Sequence, residues 1–282
     1  MAEVTSGMLD ALQSAVIEDE AKKAQEKKKY KFDKLKMFFG EDFTINGIRI
    51  VQPTIGDILE LGEKNFYNAL SPFTNNSTSI RLMLWTAGID WCKVGDLEVF
   101  NILMTILKQS EDDYKSTLKL IFPDIDVTQF QIAPLENTKT GEFKYCLYHP
   151  FLNMILSEEQ FSEISGYIRE MLNVHPKVEK AKGKIAKKWM IDEDRQILLA
   201  KQARDEDDSS LLPLVSSLIN HPGFKYNLKQ LKEVGIVQFY DSIQRLQIYE
   251  GTRALLQGSY SGFCDLSKVD KNKFNFMRSL DT

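Results

Sequence analysis

Apolar residues recur at helical spacing along most of the chain and alternate with polar ones in only two places. Leu9, Leu12 and Val16 sit three and four apart, the pattern of a short amphipathic helix. Glu18, Asp19 and Glu20 follow. Then comes a lysine-rich run through Lys22, Lys23, Lys27, Lys28, Lys29, Lys31, Lys34 and Lys36. That run has no core face to bury, which suits a solvated helix or arm. Two further readings stand beside it: a short helix docking through Leu9, Leu12 and Val16 in a partner's groove, and contact with an anionic surface such as nucleic acid.

The first alternation is Phe43, Ile45, Ile48 and Ile50 around Asn46-Gly47. Asn-Gly tolerates positive φ at both central turn positions, so a β-hairpin is expected over about 41–51. Pro53 ends it. Thr54 can cap a helix over about 55–70 with Asp57 in its first turn, burying Ile58, Leu61, Phe66 and Leu70. Helices over about 79–87 and 96–109 come next, the second striped by Leu97, Phe100, Leu103, Met104 and Leu107. Trp85 and Trp91, flanking Gly88, read as core packing.

The second alternation runs from Asp124 to Ile132, as in a half-buried strand. Thr138–Gly141 would turn it, and Phe143, Tyr145, Leu147 and Tyr148 would return it, giving a β element over about 125–148. Ser157 and Gln160 form a capping-box pair before a helix over about 158–173, with Phe161, Ile164, Ile168 and Leu172 inward. From His175 to Asp208 charge dominates, and a polar helix around 189–205 fits it. Leu211, Leu212, Leu214, Val215, Leu218 and Ile219 then mark an apolar helix with Pro213 in its first turn. His221-Pro222-Gly223 breaks it. A last helix over about 236–256 carries Ile236, Phe239, Tyr240, Ile243, Leu246 and Tyr249. A turn-rich loop at 258–262 and a tail able to dock Phe274, Phe276 and Met277 complete the chain.

The expected fold is therefore mainly α, multi-helical, with two small β additions. Its parts are a charged N-terminal arm (1–36), a mixed helical region with the β elements (37–174), a charged helical spacer (175–208) and a C-terminal helical block (209–282).

Composition narrows function mostly by exclusion. The chain has 282 residues and a formal net charge of -4, unlike a dedicated nucleic-acid binder with its basic face. Cys92, Cys146 and Cys264 are scattered and odd in number, which argues against a disulfide framework. No secretory leader and no membrane-length apolar run is visible, so the expected setting is cytoplasmic. His149, His175 and His221 each precede a proline and have no second ligand at metal-site spacing, so they read as punctuation at element ends. Asp124 and Asp126 lack the further oxygen ligands of a calcium loop. In Gly258-Ser-Tyr-Ser-Gly262 the central residue is Tyr260, not a nucleophile. No catalytic residue, cofactor or metal is expected, and the chain reads as non-enzymatic.

Four C-terminal stretches point further: Ser216–Asn227, Val237–Leu246, Leu256–Gly262 and Phe274–Met277. Together they resemble the C-terminal region of proteins encoded among the structural and tail genes of tailed phages infecting Gram-positive bacteria. These are tail assembly chaperones or virion-associated proteins. The resemblance spans about 70 residues and includes no catalytic motif. It implies protein binding: a chaperone-like factor holding a tape-measure or tube subunit, with self-association also open, or else a structural component kept in the tail or baseplate. Membrane is excluded as a partner and nucleic acid is disfavoured. The candidate contact residues are Leu9, Leu12, Val16, Leu211, Leu214, Leu218, Phe239, Tyr240 and Ile243. The alternative for the C-terminal ones is that the two stripes pack against each other.

Overall fold

The structure, a computed structural model, describes residues 32–111, 113–136, 143–202, 209–262 and 269–280. The expected helix at Leu9–Val16, the lysines up to Lys31, the turn at Thr138–Gly141, the acidic run Asp205–Asp208 and Cys264 lie outside the described residues. Among those described there are 11 α-helices and two small sheets of 2 and 3 strands, so the molecule is mainly α with small β additions.

The chain enters through α1 (Lys34–Phe38), whose first turn is capped by the Asp33 carboxylate accepting from the Leu35 and Lys36 amides. β1 (Phe43–Ile45) and β2 (Ile48–Ile50) form the expected hairpin. Ile45 pairs with Ile48, and Asn46 and Gly47 take φ of 48° and 81°, the two positive values a type I′ turn needs. Ile48 and Ile50 point into the core.

Thr54 caps α2 (Ile55–Leu61) as expected, and Asp57 completes a capping box with it. The single helix expected over 55–70 is in fact two. Gly62 sits at φ 83°, ψ 128°, a conformation nearly closed to residues with a Cβ. The chain turns there and restarts as α3 (Glu63–Thr74). α3 is the central helix of the body and packs Phe66, Ala69, Leu70 and Phe73 against α5 (Asp96–Gln109), α6 (Tyr114–Ile121) and α7 (Glu158–Met171). α4 (Arg81–Thr86) lies to one side. All five stripe residues expected in α5 are buried, as are the four expected inward in or just after α7, whose Ser157–Gln160 capping box is present.

The strand expected from Asp124 does not form there. Residues Val127–Gln129 make a 3-10 turn, because the Asp126 carboxylate accepts from both the amide and the hydroxyl of Thr128. Such local side-chain bonds compete with extended pairing. Val127 and Thr128 are both buried, which successive residues of a half-exposed strand could not be. Pairing begins later, as the antiparallel order β3 (Gln131–Glu136), β4 (Phe143–His149), β5 (Met154–Leu156). Pro134 falls on an edge strand, where its missing N–H costs least.

α8 (Lys184–Gln202) begins before the expected 189. α9 (Leu211–Asn220), α10 (Leu228–Glu233) and α11 (Ile236–Tyr260) follow, and α11 runs through part of the expected 258–262 loop. The tail docks mainly through its backbone. Thr252 donates to the Lys273 carbonyl and Arg245 to those of Phe276 and Arg278, while Phe276 and Met277 stay exposed.

The C-terminal helices join the same core as the N-terminal ones: Leu231, Ile236 and Phe239 cluster with Ile55, Ile58 and Phe66. Backbone bonds stitch the seam, with the Ile55 amide donating to the Val234 carbonyl and the Ile236 amide to that of Pro53. A second, smaller cluster stands apart and is built from Leu84, Trp91, Ala181 and Ile191.

Candidate protein-binding surface

α8 is the element that differs from the rest of the fold. Its inward face is narrow. Lys187, Met190, Ile191 and Asp194 recur at spacings of three and one, so they share one side of the helix. Ile191 is fully buried against Leu84 and Trp91. Polar bonds do much of the holding. The Arg81 guanidinium donates through Nε and Nη2 to the two carboxylate oxygens of Asp194, at 2.6 and 2.7 Å, and through Nη1 to Glu179. Lys187 Nζ donates to Asp90 at 2.6 Å. These partners hold the charged forms: hydrogen bonding to Asp194 pushes Arg81 further up, bonding to Asp90 raises Lys187, and bonding from Lys187 lowers Asp90. Just before the helix, Trp91 Nε1 donates to the Glu179 carbonyl and Asn76 to that of Lys177.

The outward side of α8 carries large apolar side chains among charged and polar ones such as Asp192 and Arg195, and no described residue covers them. Ile185, Trp189 and Leu199 are 81%, 66% and 57% exposed. Their spacings of four and ten put them on one stripe. Beyond Asp194 every residue through Lys201 is exposed, including Ile197 and Leu198. Those two overhang an open cleft shared with Leu82, Lys177 and Lys201. Scattered exposed leucines are ordinary, but five large exposed apolar side chains on one helix make α8 the candidate contact surface.

A second exposed apolar feature is the β4–β5 loop, with Phe151 79% and Leu152 52% exposed. It is held from beneath. His149 is buried, its Nδ1 accepts from the Leu152 amide, and its Nε2 meets the Asp126 carbonyl at 3.2 Å.

The residues picked out from sequence lie elsewhere. Leu211, Leu218 and Phe239 are buried in this chain's own core, and Leu214, Tyr240 and Ile243 are partly buried against it. The Tyr240 hydroxyl meets that of Tyr67 at 3.0 Å. The structure thus brings these six together as internal packing between the C-terminal helices and the body. Leu9, Leu12 and Val16 fall outside the described residues. The α8 stripe was overlooked because lysines crowd its start, although Ile185, Trp189 and Leu199 already held the helical period.

The remaining sequence candidates settle as structural. Asp124 pairs with Arg49, and Asp126 caps the 3-10 turn. His221 ends α9 and its ring accepts from the Gly223 amide. Cys92 and Cys146 are free thiols. Among the described residues no group of three metal-capable side chains gathers, and no helix is long and apolar enough to cross a membrane.

Residues 201–281 match the family model of the YomV second domain, a Bacillus phage-derived family. The match starts at the end of α8, takes in α9 to α11 and the docked tail, and covers less than a third of the chain. It points to a phage protein of a Gram-positive host. Searches of curated proteins and of solved structures found no match to this chain.

Proposed function

We propose that the chain is a non-enzymatic phage morphogenesis protein that binds other tail proteins, in the manner of a tail assembly chaperone. The YomV second-domain match supports the phage setting. The observation that supports binding is the uncovered stripe of Ile185, Trp189 and Leu199 on α8. A buried aromatic with aliphatic neighbours is the usual centre of a protein interface. A long helical tape-measure product or a tube subunit is the expected partner.

Pull-down with the tape-measure and tube proteins of the phage that encodes this chain is the direct test. Binding at micromolar concentration is expected, and the double variant W189D/L199D should weaken it by at least about tenfold, the effect of losing one hot spot. No binding to either protein would sink the proposal. Mass spectrometry of purified virions separates the two roles, because a chaperone leaves the particle and a tail or baseplate component stays in it.

A further inference from the structure

The segment from Lys177 to Lys201 touches the body in an unusual way. Its hydrogen bonds to the body include those with Asn76 and Thr78 near the start, then with Arg81, Trp91, Cys92 and Asp90. Its fully buried apolar residues are Ala181 and Ile191, and they belong to the small cluster, not to the main core. Past Asp194 every residue through Lys201 is exposed. The strap is therefore fastened by charge and hydrogen bonds together with a small apolar cluster in which Met190 and Ile191 meet Leu84, Trp91 and their neighbours, whereas the helices on either side in sequence, α7 and α9, are fastened by the larger main core.

From this we propose that residues 177–201 form a strap that opens as a unit while the main core stays folded, with Arg81 as its fastener. Two features support it. Elements with few buried apolar contacts occupy the low end of local stability. The Arg81 fork bridges two points of the strap, Glu179 and Asp194, so its loss frees both ends of the seat at once and leaves two carboxylates unpaired. Opening would uncover Leu84, Trp91 and the inner face of α8, adding to the stripe already exposed outside. The inference does not depend on the proposed function.

Hydrogen–deuterium exchange of the full chain, followed by mass spectrometry, tests it. Peptides from α8 should exchange at least about tenfold faster than those from α7. Arg81→Gln should speed α8 by about another tenfold, equivalent to about 1.4 kcal/mol, and leave α7 unchanged. Asp90→Asn, which loosens the Lys187 contact and keeps an oxygen to accept from the Cys92 amide, is the milder second variant, and it should speed α8 and leave α7 unchanged. If α8 exchanges as slowly as α7, or if both variants speed α8 and α7 together, the strap is part of one cooperative unit and the proposal is wrong.

Discussion

Glu63 belongs to α3, yet its carboxylate completes α9. It accepts from the amides of Ser210 and Leu211 and from the hydroxyls of Ser209 and Ser210, filling donors that a helix start leaves open. Burial alone would raise its pKa, but these bonds outweigh burial and hold it below 4.5. A carboxylate with a depressed folded pKa adds stability that is complete above its unfolded value and is lost as pH falls through the folded one. Glu63→Ala should lower unfolding stability by about 1 kcal/mol, the usual cost of a lost cap, in urea titrations at pH 7. Glu63→Gln should flatten the loss of stability between about pH 5 and pH 3. An unchanged acid slope would rule out this carboxylate as a contributor. Gly56 tests close packing at the same seam. A Cβ there would lie 2.9 Å from the Lys232 carbonyl. Alanine gains up to about 1 kcal/mol in helix propensity, but overpacking against backbone costs about 1–3 kcal/mol. Gly56→Ala should therefore destabilise on balance, and a raised urea midpoint would contradict the packing argument.

Elements whose signals are local were legible in the sequence. The Asn46-Gly47 hairpin, the Thr54 cap, the Ser157 capping box, and the stripes of α5 and α7 all combine a start signal with a period inside one short window. The failures share a different cause. Gly62 sits within an unbroken helical period, and only the backbone angle shows that it ends one helix and begins another. Gly62→Ala should cost about 1 kcal/mol or more, because a Cβ disfavours positive φ, and it should not fuse α2 with α3. A gain in stability would mean that the break is incidental. The short helices α6 and α10 bury only three residues and one, too few to leave a period. At Asp124–Ile132 a true alternation was overruled by one carboxylate. For the candidate site, composition hid the answer: α8 was legible as a polar helix, but its charged residues drew attention away from Trp189.

At the scale of the whole molecule, the boundary suggested by sequence near 208 and the packing of the main core follow different lines. The stretch matching the YomV second domain begins at residue 201, yet α9 to α11 have little core of their own. Leu211, Leu218, Leu231, Ile236 and Phe239 share one cluster with residues of α2, α3 and α7. The start of α9 is capped by Glu63, and Gly235 bridges to Thr54. Cutting the chain at 208 would expose that apolar face and remove the cap in one step. A fragment of 209–282 is small, and short chains bury too little surface to tolerate such a loss. It should therefore retain helical far-ultraviolet dichroism but show no cooperative thermal transition, and mixing it with 32–202 should restore one. A sharp, independent melt of the fragment near the midpoint of the full chain would show that the C-terminal block is a domain in its own right. The seam residues would then be a docking interface and not a shared core.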